Sequence, residues 1–318
     1  MFSSFKNINQ TSVCHAVLFM LLFALLVLGS GSLTRAHEAP EGGGEHGSHT
    51  LWFFGQASAK DKRYSYAFEL LQKVLEHPSV SSHDYQVMHS PFPVTRSRAL
   101  KLLEQGRELG VAAEAPKPDW TEKLITVRIP LRKGIQGYRL FLIRRDFQDQ
   151  LNEARTLADL RNFTTGSGAE WSTRRVMEEA GFKVEVSQDY QNLFEMLRLG
   201  RFDTFGRGVN EIYDELELHQ WPSQNLAIDE KFALFIPLPT YFYVAPDHPE
   251  LAEIIQTGLE AMIADGSFDL FFWEHHRALI EKSNLVNRTI FRLPNPNLSS
   301  ADPVDEARYW FNPLAEAN

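Results

Sequence analysis

Apolar residues fall in two alternating rhythms along this chain, short strand-like runs and longer stretches with helical spacing. The run 51–54 predicts a strand. Tyr64, Phe68, Leu71 and Leu75 then recur along a helix that His77-Pro78 closes. A strand at 85–88, a helix at 95–105 burying Leu102 and Leu103, and a strand at 110–113 follow. This β-α-β-α-β order belongs to an open sheet covered by helices. Runs 124–129 and 138–143 predict two more strands around a turn at Lys133-Gly134. After a charged helix near 151–160 the rhythm repeats. It runs as a strand at 162–165, a loop at Gly166-Ser167-Gly168, a helix at 169–180, a strand at 183–186, a helix at 190–199, a strand at 203–205 and a helix at 209–216. Gly181 and Gly200 stand where helices end in a left-handed residue. Strands at 232–236 and 241–244, a helix at 249–264, a break at Gly266 and a helix at 268–280 complete the pattern. Four prolines, Pro294, Pro296, Pro303 and Pro313, keep the tail extended, and Tyr309, Trp310 and Phe311 give it an apolar face to pack on the body.

The first residues change the picture of where the chain acts. Lys6 precedes an apolar run at 16–28 that is too short to span a bilayer, and the small residues Gly29 to Ser32 and then Thr34-Arg35-Ala36 follow it. This predicts a signal peptide over 1–36, cut after Ala36, and a periplasmic location. The only cysteine, Cys14, leaves with it, so the mature chain has no disulfide to lean on. Residues 37–50, rich in Gly, His and Glu, predict a flexible leader. The whole chain of 318 residues carries a net charge of −9, and loss of Lys6 and Arg35 makes it −11. Such an acidic surface excludes nucleic acid as an expected partner.

Four stretches, in order, resemble the family-3 extracellular solute-binding proteins. They are Leu157-Ala158-Asp159-Leu160 with the Gly166-Ser167-Gly168 turn, Leu197 to Asp203, Pro239 to Val244, and Leu251 to Asp269. The resemblance implies an α/β, two-lobed periplasmic-binding-protein-like fold of type II. Each lobe is a mixed open sheet flanked by helices, with two crossing strands as a hinge near 140–144 and 241–245. Lobe 1 is then 51–140, lobe 2 is 141–240, and 241–318 is the return to lobe 1 with the tail. It also implies capture of a small solute between the lobes, no cofactor, a monomer, and a membrane permease or sensor receptor as partner.

Gly166, Ser167 and Gly168 before a helix offer amide groups and a hydroxyl to a carboxylate or phosphate oxygen, or simply cap the helix. Where the family carries an arginine for the ligand carboxylate, this chain has Lys123, and where it carries an aspartate for an ammonium, Arg207 and Gly208 stand. Arg128 and Arg207, with Lys123, would make a cationic cleft favouring a carboxylate-bearing ligand, unless each pairs with an acid such as Glu211 or Asp214. Phe54, Trp120 and Tyr241 are the candidate aromatic lining, Trp120 first because Pro118-Asp119 predicts a loop.

Three rival readings have sequence support. His37, Glu38, Glu45, His46 and His49 in the leader contain metal-ligand types without a fixed frame, and the adjacent His275 and His276 point apart on a helix. An enzyme would need an acid–base pair over the cleft, and Glu114, Asp119 and Glu122 are the available carboxylates, with no nucleophile elbow or phosphate loop. A sensory protein would differ from a transport protein only in its partner. The expectation is binding without chemistry and no metal.

Overall fold

The computed structural model describes residues 49–55, 62–106, 108–218 and 225–315. They belong to the compact unit His46–Asn318. The signal-peptide and cleavage assignments, and the leader up to residue 48, fall outside the described residues.

The first lobe is built on β1 (His49–Phe54), β2 (Tyr85–His89), β3 (Gly110–Glu114) and β4 (Ile125–Val127), with α1 (Ser65–Glu76), α2 (Arg96–Gln105) and α3 (Pro118–Lys123) between them. Because β1 already starts at His49, His49 and Thr50 are strand residues and not leader as expected. Helix α1 forms because Ala67, Leu70, Leu71 and Val74 share one buried stripe. Helix α2 starts where the Thr95 side chain accepts from the Arg98 amide and stops at Gly106, whose φ of +58° suits a residue without Cβ.

The second lobe follows with β5 (Tyr138–Arg144), α4 (Gln148–Asn152), α5 (Leu157–Leu160), β6 (Thr164–Gly168), α6 (Ser172–Glu179), β7 (Lys183–Ser187), α7 (Tyr190–Arg198), β8 (Thr204–Gly208), α8 (Ile212–Leu218), β9 (Leu226–Ile228) and β10 (Phe232–Phe235). The chain then runs through β11 (Tyr241–Val244), α9 (Pro249–Asp265), α10 (Ser267–Ser283) and β12 (Thr289–Arg292). The sheet orders are β2-β1-β3-β11-β4 and β12-β10-β5-β8-β6-β7, with β9 paired to β5. In the first sheet β11 runs antiparallel between β3 and β4, and in the second β5 runs antiparallel to β8 and β10.

Three expectations are corrected. The Gly166-Ser167-Gly168 stretch is the buried end of β6, paired residue for residue with β7, and α6 begins only at Ser172. The glycines serve packing: a Cβ on Gly166 would collide with the Phe202 ring and one on Gly168 with the Trp171 indole. Second, the lobes are joined by 128–137 and 236–240, which precede β5 and β11, whereas 140–144 and 241–245 lie within the sheets or at their edges. These two connections hold each other through Leu131 N to Thr240 O at 3.0 Å, Ile236 N to Gly137 O at 3.0 Å and the Thr240 hydroxyl to Gln136 Oε1 at 2.7 Å. Third, 241–318 does not simply return to the first lobe, since β12 pairs with β10 and extends the second sheet.

Helix α10 ties the halves together. Phe268 and Phe271 are buried in the first-lobe core with α1 and α9, while Phe272 is buried with Tyr138, Phe235 and Phe311 of the second. An aromatic ring moved from water into such a core contributes roughly 2–3 kcal/mol.

Candidate functional site

The direction of the strands decides which edges of the two sheets face one another. Strands β1 and β3 end at Phe54 and Glu114, Tyr241 of β11 is paired with Glu114, and Arg128 follows β4. In the second sheet β6, β8, β10 and β12 end at Gly168, Gly208, Phe235 and Arg292. The connections 128–137 and 236–240 join these ends, so the cleft runs along them, the place where open α/β sheets present ligand groups.

On the first-lobe side, buried polar groups converge. Glu114 is 5% exposed and receives Tyr64 Oη at 2.8 Å and Arg96 Nε at 2.7 Å. Burial, and then the Glu114 charge, push the Tyr64 phenol up. Next to this group, the hydroxyl of Tyr243 and the Nε of Arg128 are buried without a hydrogen-bond partner, and the buried hydroxyl of Tyr241 faces Oδ1 of Asp302 without reaching full hydrogen-bond geometry. Burial raises the Tyr241 phenol, the neighbouring Asp302 carboxylate raises it further, and Arg128 opposes both. Trp120 meets Tyr243 edge-on, with ring centroids 5.1 Å apart.

On the second-lobe side the charges are already matched. Arg207 lies in β8 and forks onto Glu215 with contacts of 2.8 and 2.6 Å, and it reaches Glu211 at 3.1 Å. Its guanidinium stands over Trp171 at 4.5 Å and Phe205 at 5.1 Å. Arg139 donates to Gly206 O at 2.6 Å and to Glu211 at 3.3 Å. Burial lowers Arg139 to about 10. Burial would raise Glu211, yet Arg207 and Arg139 outweigh it and hold its carboxyl at about 2. A cavity of about 20 Å³ lies beside Gly166, Ser167, Trp171 and Thr173, with room for roughly one water molecule.

Contacts cross the cleft. Lys117 donates to the main-chain carbonyl of Glu170, and Ser97 Oγ to its carboxylate at 3.4 Å. Arg63 stands over the Tyr190 ring at 5.4 Å.

The nine residues picked out in the sequence therefore have different places. Arg128 and Tyr241 come together, with Trp120 one ring away through Tyr243. Trp120 sits in α3 rather than in a loop and is 2% exposed, because α3 packs it onto Leu103, Ala112 and Tyr243. Phe54 lies in the same core, its ring over Gly110. Lys123 is exposed and pairs with Glu104 at 3.3 Å. Gly166 and Ser167 line the small cavity, Gly168 backs Trp171, and Arg207 is bound to its two glutamates. Sequence reasoning did not single out Tyr243, Glu170 or Asp302. The alternation of Tyr241 and Tyr243 on one strand face was a usable signal for the first. Nothing local announced the others. Glu114, considered as a catalytic carboxylate, is ion-paired with Arg96 and accepts from the Tyr64 hydroxyl.

Among the described residues there is no group of three His, Cys, Asp or Glu side chains able to hold a metal, and no helix long and apolar enough to cross a membrane. His275 and His276 diverge: one ring reaches Glu69 at 3.1 Å, the other is buried against Tyr66.

No family model matches the sequence, and no curated protein sequence matches it. Solved structures do. An ancestral arginine-binding protein bound to arginine aligns at 18% identity and a TM-score of 0.50, over 71% of this chain and 97% of its own. A histidine kinase sensor domain with similarity to periplasmic binding proteins aligns at 15% and 0.51, over 72% and 96%. An arginine transport periplasmic binding protein from Legionella pneumophila aligns at 14% and 0.51, over 72% and 99%. With its two mixed sheets, its paired connections and these neighbours, the chain has the two-lobed periplasmic-binding-protein-like fold.

Proposed function

We propose that this chain binds a small, polar, carboxylate-bearing solute between its lobes and performs no chemistry on it. The observation that carries this reading is the buried set of Arg128 Nε, Tyr241 Oη and Tyr243 Oη at the cleft end of the first sheet, which no described lobe residue pairs and which the Asp302 carboxylate of the tail faces. Polar groups removed from water and left unpaired cost about 1–3 kcal/mol each, so a site that keeps three of them is built for something that pairs with them. One guanidinium and two phenols present hydrogen-bond donors, which fits a carboxylate. Trp120 and the core beneath it hold the tyrosines in place, and Gly166, Ser167 and Gly168 belong to the opposing wall.

Two of the structural neighbours are arginine-binding, and a carboxylate is part of what such ligands offer. Arginine itself does not follow, because the second-lobe acids Glu211 and Glu215 are already paired with Arg139 and Arg207. A periplasmic setting and a membrane permease belong to the same proposal. A sensor receptor as partner is the second reading, and the sensor-domain neighbour favours it.

Native mass spectrometry of the purified chain, followed by thermal melts with succinate, L-glutamate, L-arginine and zinc, tests the reading. A carboxylate that raises the melting temperature of the native chain, with the rise abolished in Arg128→Ala, supports it. A melt moved by zinc alone sinks it.

A further inference from the structure

The tail after β12 is not surface decoration. It leaves the cleft end of the second sheet, and Leu293 N still bonds Phe235 O at 2.9 Å as the strand finishes. Asn295 Nδ2 then donates to Pro237 O, on the 236–240 connection, at 2.8 Å. Asn297 Nδ2 donates to Ser172 O, at the start of α6 in the second lobe, at 3.1 Å. Five residues on, Asp302 is 6% exposed on the first-lobe side, beside Tyr241. Its Oδ2 accepts from the Ser299 amide and hydroxyl at 2.7 and 2.9 Å, which fixes a turn. Its buried Oδ1 makes no bond within the turn and faces the Tyr241 hydroxyl, near enough to act on that phenol through its charge and as an acceptor. The chain then moves behind the hinge. Trp310 lies on Gly134, Phe311 N bonds Lys133 O at 2.8 Å, and Tyr309 Oη reaches Glu260 of α9 at 3.0 Å. The tail thus touches both lobes and both connections.

We propose that residues 295–306 are a resident occupant of the cleft, with the Asp302 carboxylate standing where the carboxylate of a solute goes, so that solute entry requires this segment to leave. The proposal rests on the solute-binding reading and adds its regulation. Two carboxylates cannot share one guanidinium and two phenols at close range without mutual repulsion, so the exchange is competitive. Two elements fit such an exchange. Asn297 and Asp302 make only a few polar contacts to the lobes, while Leu293 on one side and Tyr309 and Phe311 on the other are buried anchors. The segment between the anchors can therefore lift as a loop without unfolding either core.

The test uses the full chain and two variants, Asp302→Ala and Asn297→Ala. The second leaves the Arg128 cluster and the Ser299 turn untouched and removes the bond to Ser172 of the second lobe together with the local one to Asn295 Oδ1. Calorimetric titration with succinate and with L-glutamate is paired with hydrogen exchange over 295–306. The expected result is an affinity about tenfold or more higher in each variant than in the native chain, as for a competent state released from a competing one. Exchange over 295–306 should also speed up when the native chain binds the probe. Equal affinities with unchanged exchange overturn the resident-occupant proposal and leave solute binding standing. Failure of both probes to bind the native chain and both variants overturns the solute reading and this proposal with it.

Discussion

Arg207 and Glu215 form a two-point ion pair inside the second lobe, Nε at 2.8 Å and the terminal nitrogen at 2.6 Å, with the arginine side chain 3% exposed. A cation so engaged, with Glu211 on its other side and aromatic faces around it, is a structural group. Arg207→Ala leaves two glutamates facing Arg139 alone in a buried setting. The expected loss is about 3–5 kcal/mol of stability, the ordinary cost of orphaning one half of a buried pair. Urea denaturation measures it, and an unchanged midpoint would show that the pair is not formed in solution.

Trp120 gives a second contrast between core and cleft. Fully buried against Leu103, Ala112 and Tyr243, its removal in Trp120→Ala should open a cavity and cost about 3–5 kcal/mol. Because the same indole braces Tyr243, solute affinity should fall as well. Loss of affinity at constant stability would place the ring in the cleft and not beneath it.

The fold was legible because strands and helices here have unambiguous periods and marked ends. Gly106 and Gly266 end helices in the left-handed region, as residues without Cβ do most easily. The site was less legible for a physical reason. Whether Arg207 meets a ligand or Glu215 depends on which face of α8 packs against β8, a tertiary fact that no spacing in the sequence encodes. Gly166 and Gly168 suggested a turn before a helix that binds a carboxylate or phosphate oxygen or caps the helix, but glycine also marks where an aromatic ring presses on a strand, and Phe202 and Trp171 do so here. Asp302 lay beyond any local signal, since it reaches Tyr241 only after the tail has crossed from one lobe to the other.

Gly134 links the hinge to the tail. Its φ is +68°, and a Cβ there would collide with the Trp310 ring. Gly134→Ala should cost about 1–2 kcal/mol from backbone strain alone. It should also dislodge Trp310, exposing the C-terminal segment to limited proteolysis while the remainder stays resistant. A variant whose tail is cut no faster than the native chain would show that Trp310 does not hold it.

The pH dependence of stability separates two buried groups. His276 is stacked on Tyr66 with centroids 4.8 Å apart, and neither ring nitrogen has a partner. Burial first, then the charges of Arg132 and His275, lower its pKa to about 2 from an ordinary 6.5. The unfolded chain therefore binds a proton near pH 6.5 that the native chain refuses, so this contribution is complete above that value and is lost as the pH falls. Glu211, held at about 2 against an ordinary 4.5, adds its own loss only below about 4.5. His276→Phe keeps the stack on Tyr66 and removes the titrating nitrogens. Its stability should decline between pH 6.5 and 4.5 less steeply than that of the native chain, by about 1 kcal/mol per pH unit. Glu211→Gln should be weaker at neutral pH and flatter below pH 4.5. Urea midpoints across this range measure both effects, and parallel curves for the native chain and His276→Phe would mean that the ring takes up its proton without unfolding the protein.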